Sequence, residues 1–187
     1  MAAVEALYTR SDKEILRAVI SNPDDGFRLL LKQYKESVYW HIRRITVTHS
    51  DAEDALQETF MRVFRNLDKL NEEMSLTAWV FRIATNEAIR QRERYGKSAI
   101  SLDDDDVSEA HAIAADDYID YSDLEAVKLQ KAIRSLPPKQ QIAFNLRYYD
   151  EFDYATIAQI TESTVNNVKA NYHAAKEKII RFMNSND

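Results

Sequence analysis

Residues Phe152 to Arg181 read FDYATIAQITESTVNNVKANYHAAKEKIIR, two helical registers separated by three polar residues, Thr161, Glu162 and Ser163. Tyr154, Ile157, Ala158 and Ile160 form a short apolar face. Val165, Val168, Tyr172, Ala175 and Ile179 form a longer one at three- and four-residue steps. Asp153 and Ser163 stand where each helix needs a cap. This is the pattern of a helix-turn-helix. With the valine face packed inward, Asn166, Asn167, Lys169, Ala170, Asn171 and His173 point outward, where a DNA major groove would lie. Periodicity alone fits any pair of amphipathic bundle helices equally well.

The rest of the chain reads as helix too. Of 187 residues only two are glycine and three proline, too few for the tight turns of a multi-stranded sheet. Absence of cysteine excludes disulfides, thiolate metal sites and thiol redox sensing, and fits a cytoplasmic setting. No apolar run approaches membrane-spanning length, so no membrane insertion is expected.

The net charge of −6 is unevenly distributed. Residues 1–97 carry 16 Lys/Arg and 15 Asp/Glu, whereas residues 98–127 carry ten acids and no Lys or Arg. Residues 128–187 carry nine bases against six acids. Like charges this dense repel and extend a chain, and the middle segment lacks sustained periodicity. The expected organisation is therefore all-α: a helical domain over 1–97, an acidic irregular linker over 98–121, and a second helical domain over 122–187.

Three Ser-x-x-Glu pairs, Ser11/Glu14, Ser50/Glu53 and Ser122/Glu125, predict capping boxes. After Asn22-Pro23 a helix is expected from about Asp24 to Ile45, with Phe27, Leu30, Leu31, Tyr34, Val38, Ile42 and Ile45 on its core face. The next runs from Asp51 to about Asp68 and buries Leu56, Phe60, Val63, Phe64 and Leu67, leaving Asp51, Asp54, Gln57, Glu58 and Arg62 on the other side. Another, from about Thr77 to Tyr95, joins an aromatic start, Trp79 and Phe81, to a basic end, Arg90, Arg92, Arg94 and Lys97.

Four segments, DAEDALQETFMRVFRNLDKL (51–70), TAWVFRIATNEAI (77–89), SLPPKQQIAFNLRYYDEFDYATIAQI (135–160) and STVNNVKANYHAAKEKI (163–179), together resemble regions 2 and 4 of an extracytoplasmic-function sigma factor of the sigma-70 family. The resemblance covers roughly residues 24–97 and 122–182, in the family's order and spacing. It implies two helical domains, a region 2 bundle and a region 4 helix-turn-helix. It further implies a non-enzymatic, dissociable subunit of bacterial RNA polymerase that recognises promoters, melts them and starts transcription.

Carried over by position, the resemblance assigns Asp54, Gln57 and Glu58 to docking on the coiled coil of the polymerase's largest subunit. Gln57 and Glu58 are expected to be exposed. Acidic and amide groups one helical turn apart suit charge-assisted bonds to partner arginines, though such a face near a helix start is also favoured by the helix dipole. The Leu70–Leu76 loop with Asn71 and Ser75, followed by Trp79, Arg82, Asn86 and Arg90, falls where the family captures the melted strand of the minus-ten element. Trp79 and Phe81 read as stacking platforms or as core. Glu72 and Glu73 place acids where phosphates would approach.

The recognition helix departs from the family's arginine-rich habit. Asn166, Asn167, Lys169, Ala170, Asn171 and His173 predict a weaker, A/T-tolerant minus-thirty-five element, since asparagine pairs with adenine and alanine meets a thymine methyl. The turn, Thr161-Glu162-Ser163, lacks the family's usual glycine and must use another geometry or accept strain, while Glu162 would repel phosphate. The aspartates Asp103 to Asp106, Asp116 and Asp117 could mimic nucleic acid inside the polymerase. They lack the spacing of a calcium loop.

Implied partners are core RNA polymerase, promoter DNA as duplex and melted strand, and an anti-sigma factor; no cofactor is implied. The four histidines are scattered and no catalytic motif is present. Alternatives are a conventional helix-turn-helix regulator, for which no dimerisation heptad is evident, and a helical adaptor that binds proteins only.

Overall fold

A computed structural model of the protein describes residues 12–67, 74–101 and 123–185, with backbone only at residues 13 and 95–101. Among them run eight helices and no strand: α1 (Asp12–Ser21), α2 (Pro23–Arg43), α3 (His49–Arg65), α4 (Leu76–Ser101), α5 (Leu124–Arg134), α6 (Pro138–Tyr148), α7 (Tyr154–Ile160) and α8 (Val165–Asn184).

Helix α2 begins as its sequence dictates. Asn22 Oδ1 accepts from the Asp24 and Asp25 amides at 3.2 and 3.5 Å, and Pro23 takes the first helical position, where its missing N–H costs nothing. Leu30, Tyr34, Val38 and Ile42 form its buried stripe. Gly26, also buried, lets α1 cross closely: a Cβ there would overlap the Val19 backbone.

Other caps fall elsewhere than expected. α3 starts two residues earlier, with Thr48 and Asp51 forming the capping box: the Asp51 amide donates to Thr48 Oγ1 (3.0 Å) and the Thr48 amide to Asp51 Oδ2 (3.3 Å). Ser50 thus lies inside the helix, and Glu53 pairs with His49 at 3.3 Å. Asp123, not Ser122, caps α5, accepting from the Glu125 and Ala126 amides. Thr164, not Ser163, caps α8: its Oγ1 accepts the Asn167 amide at 3.2 Å, while the Ser163 amide closes α7 on the Ala158 carbonyl (3.0 Å). Ser11 and Ser122 lie outside the described residues.

α4 also continues past the expected start of the irregular linker, through residues 98–101. The rest of the linker, 102–121, lies outside the described residues and takes with it Asp103 to Asp106, Asp116 and Asp117.

The two halves share a core. Leu30, Val38, Ile42, Phe60, Val63, Val80 and Phe81 from the first half join Ile142, Leu146, Ile157, Ile160 and Val168 from the second in one buried cluster. Each such aliphatic contributes about 1.5–3 kcal/mol by leaving water. A separate cluster, Ala132, Ile133, Leu136, Phe144, Ala175 and Ile179, ties α5, α6 and α8 together. Two expected core residues stay at the surface, Phe64 (45% exposed) and Val165 (37% exposed). Phe64 still meets Phe27 edge-on at 4.9 Å, covering the rim of the core. Val165 is the first residue of α8, where the helix has just left its turn.

Candidate nucleic-acid and partner interfaces

The outer face of α3 presents Asp54 and Gln57 to solvent. They are brought out because Ala52, Ala55, Thr59, Phe60 and Val63 on the same helix turn inward. Glu58 differs from expectation. It is half-buried, receiving Arg62 Nε at 2.9 Å, and Arg62 also lies 2.9 Å from the buried carboxylate of Glu87. Glu87 in turn holds Arg90 at 2.8 Å. Glu58, Arg62, Glu87 and Arg90 therefore form one network across α3 and α4, and Asp54 and Gln57 flank it as the open polar groups.

A groove of about 530 Å³ runs beside this network, lined by Arg62, Asn66, Trp79, Ile83, Asn86 and Arg90 among others. Helical spacing brings Trp79, Ile83, Asn86 and Arg90 to one stripe of α4. Trp79 is partly buried against the core with its remaining surface in the groove, whereas Phe81 is 3% exposed and is core alone. The groove thus combines an aromatic rim and two amides, groups that suit an unstacked base, with two guanidinium groups paired to Glu58 and Glu87, and Glu87 and Glu93 also line it. Ser75 is exposed but its hydroxyl oxygen accepts the Ala78 amide at 3.1 Å. Asn71, Glu72 and Glu73 lie outside the described residues.

On α8, Asn166, Asn167, Lys169, Ala170 and His173 are exposed, while Val168 and Ala175 turn inward. Asn171 is partly buried and its amide donates to the Asn167 carbonyl at 3.0 Å. Lys169 Nζ sits 5.7 Å above the Tyr154 ring, so its stem follows α7 before the ammonium reaches solvent.

The turn before α8 solves its missing glycine by strain. Glu162 adopts φ 50°, the left-handed conformation, and the Ser163-to-Ala158 bond completes the helix-ending motif in which glycine is usual at this position. Glu151 does likewise at φ 58° after α6.

Residues 30–98 match the family described as Sigma-70 region 2, and residues 126–179 match Sigma-70, region 4. The chain belongs to the extracytoplasmic-function sigma factors of the sigma-70 family. The ECF RNA polymerase sigma factor SigW of Bacillus subtilis (strain 168) is 26% identical over 175 residues, 89% of this chain and 94% of that one. The ECF RNA polymerase sigma-E factor of Escherichia coli (strain K12) is 27% identical over 177 residues, 90% and 92% of the two chains. Among solved structures, CnrH in complex with the cytosolic domain of CnrY superposes with a TM-score of 0.72 at 16% identity, over 95% of this chain and all of that one. The sigma factor RpoE bound to the anti-sigma factor NepR from Bartonella quintana gives 0.66 at 21% identity, over 86% and 98%.

As a sigma factor, this protein is an RNA polymerase subunit for promoter recognition and transcription initiation, a DNA-binding initiation factor and not an enzyme. Residues that sequence reasoning missed lie where the halves meet. His41, Arg44 and Asp150 converge there, and the mixed polar character of their neighbours concealed the contact.

Proposed function

We propose that this sigma factor docks on the coiled coil of the polymerase's largest subunit through Asp54 and Gln57, with Glu58 holding Arg62 in the same patch. The Trp79 groove, with Arg82, Asn86 and Arg90 beside it, takes the melted minus-ten strand, and Asn71 and Ser75 border it in sequence. Asn166, Asn167, Lys169, Ala170, Asn171 and His173 read the minus-thirty-five duplex, favouring A/T pairs because no arginine stands on that face to take a guanine edge. The observation that carries this reading is that two polar surfaces, the α4 groove and the outer face of α8, belong to two different modules of one family in its own order.

No helix among the described residues is long and apolar enough to cross a membrane. The protein works in the cytoplasm, where the polymerase is, and is restrained by an anti-sigma factor, as the structurally similar sigma factor RpoE is seen bound to the anti-sigma factor NepR. Footprinting of reconstituted polymerase on a dependent promoter tests the assignment: Asn86→Ala should weaken protection at the minus-ten element and Asn167→Ala at the minus-thirty-five element, each alone. Equal loss at both elements from either change would refute it.

A further inference from the structure

Glu87 sets a carboxylate, only 6% exposed, into the wall of the α4 groove. Ala84, one turn before it and fully buried, shares its side of the helix. A carboxylate so placed is stable only when paired. Arg62 Nε, reaching over from α3, lies 2.9 Å from its Oε1, and Arg90 Nη1 lies 2.9 and 2.8 Å from Oε1 and Oε2. Arg62 Nε also donates to Glu58 Oε1 at 2.9 Å.

The two arginines are more open than the acid between them, at 40% and 43% exposure, and both line the groove. With Glu58 and Glu87 opposite them, the network carries no net charge. Glu93 adds a further acid to the groove wall. On the network's other side, a cavity of about 340 Å³ adds Asp54 and Arg94, an acid and a base that leave the balance as it is.

A groove that binds a polyanion ordinarily gains affinity by trading counterions for phosphates. Here the cations are neutralised from within. A phosphate approaching Arg90 must displace Glu87, a buried carboxylate that is costly to leave without its partner. Hydrogen bonding to bases survives, because a guanidinium carries five N–H donors and each of these pairs engages one nitrogen of its arginine.

We propose that Glu87 is a specificity-determining residue of the minus-ten groove: with Glu58 it cancels the charge of Arg62 and Arg90, so that a melted strand is retained by its bases and not by its phosphates. This role presupposes the groove's place in the promoter contacts proposed above. A matched strand engages guanidinium and amide donors with its base edges. An unmatched strand has its phosphates alone to offer, and the compensated groove gives them little.

Holoenzyme reconstituted from core polymerase and the full chain is titrated over a range of salt with two labelled fork-junction DNAs. One copies a dependent promoter, and the other has its unpaired minus-ten bases changed. Glu87→Gln should bind the changed fork about threefold tighter or more at low salt, with a salt slope steeper by about 0.7 for each arginine released. The matched fork should gain less, so that discrimination between the two narrows. Glu87→Asp, which keeps the charge, should hold discrimination near the original. An unchanged slope in the Gln variant, or an equal loss of discrimination in the Asp variant, would overturn the proposal. Arg90→Ala tests it without touching the buried acid. Loss of an already compensated arginine should leave the slope on the changed fork unaltered, and a slope shallower by about 0.7 would count against the role of Glu87. Asn86→Ala separates this role from the assignment of the groove. Weaker binding of the matched fork, with an unchanged slope for Glu87→Gln, removes the role of Glu87 alone. No effect of Asn86→Ala on either fork removes the groove from the promoter contacts, and the proposal with it.

Discussion

Arg92 of α4 and Gln141 of α6 are joined by a 2.8 Å hydrogen bond, across a junction between modules that must read DNA elements far apart. Arg92 is held below the usual guanidinium range by burial. A side chain from the basic end of its helix is thus partly buried against the other module. The molecule's chemistry lies in this tension between two binding surfaces and the contact that joins them.

Asp54 and Gln57 are exposed and lie outside the core stripe of α3. Replacing both by alanine should lower affinity for core polymerase at least tenfold while leaving unfolding within about 0.5 kcal/mol of the original, as surface changes do. Fluorescence anisotropy against core enzyme and urea titration check the two halves. Undiminished core binding would move the docking surface elsewhere.

Gly26→Ala would force a methyl against the backbone of Val19, which cannot rotate away as a side chain could. Separation of α1 from α2 should cost about 1–3 kcal/mol, the usual range for overpacking. Urea denaturation checks it, and a neutral result would mean that α1 is not seated on α2 as described.

These two helices also show what could be read beforehand. Leu30, Tyr34, Val38 and Ile42 were legible because burial imposes a 3.6-residue repeat. The cap of α3 was misplaced because Thr48-x-x-Asp51 and Ser50-x-x-Glu53 offer equivalent chemistry two residues apart, and only packing of Ala52 and Ala55 chooses between them. The outward face of α8 was legible for the same reason as α2, by subtraction of Val168 and Ala175. The α4 stripe that meets the C-terminal module was not, since Phe81, Arg82, Asn86 and Arg92 alternate apolar and charged groups and pair with residues some fifty to eighty positions away, Gln141 and Glu162 among them.

The helix-turn-helix should be acid-sensitive at Asp153. The Thr156 backbone amide, donating at 2.7 Å, is the chief cause holding its carboxyl below the ordinary range, with the Thr156 side chain next. A depressed folded-state value means stabilisation present above the unfolded carboxylate range and lost as pH falls through the folded one. Asp153→Ala should lower Tm by a few degrees at neutral pH, with the gap closing in acid. A gap independent of pH would discount the cap.

Tyr34 predicts the opposite limb. Burial raises its phenol well above the ordinary value; the Thr77 hydrogen bond opposes this, and Asp12, 2.7 Å from the hydroxyl, reinforces it. A raised folded-state value gives stabilisation that is complete below the unfolded pKa of about 10 and is lost as pH climbs beyond it. Tyr34→Phe should cost about 1 kcal/mol at neutral pH through the lost hydrogen bonds and show a shallower loss above pH 10. Urea unfolding across the alkaline range checks both arms. Parallel alkaline curves for the two proteins would deny Tyr34 that role.

The most direct measurement is run-off transcription by core RNA polymerase of the source organism on sheared genomic DNA, with and without this protein, mapping new RNA starts. The account predicts discrete new starts that share two short upstream elements, the distal one A/T-tolerant, and their disappearance with Asp54→Ala/Gln57→Ala. No new starts from folded protein and active core enzyme would contradict it.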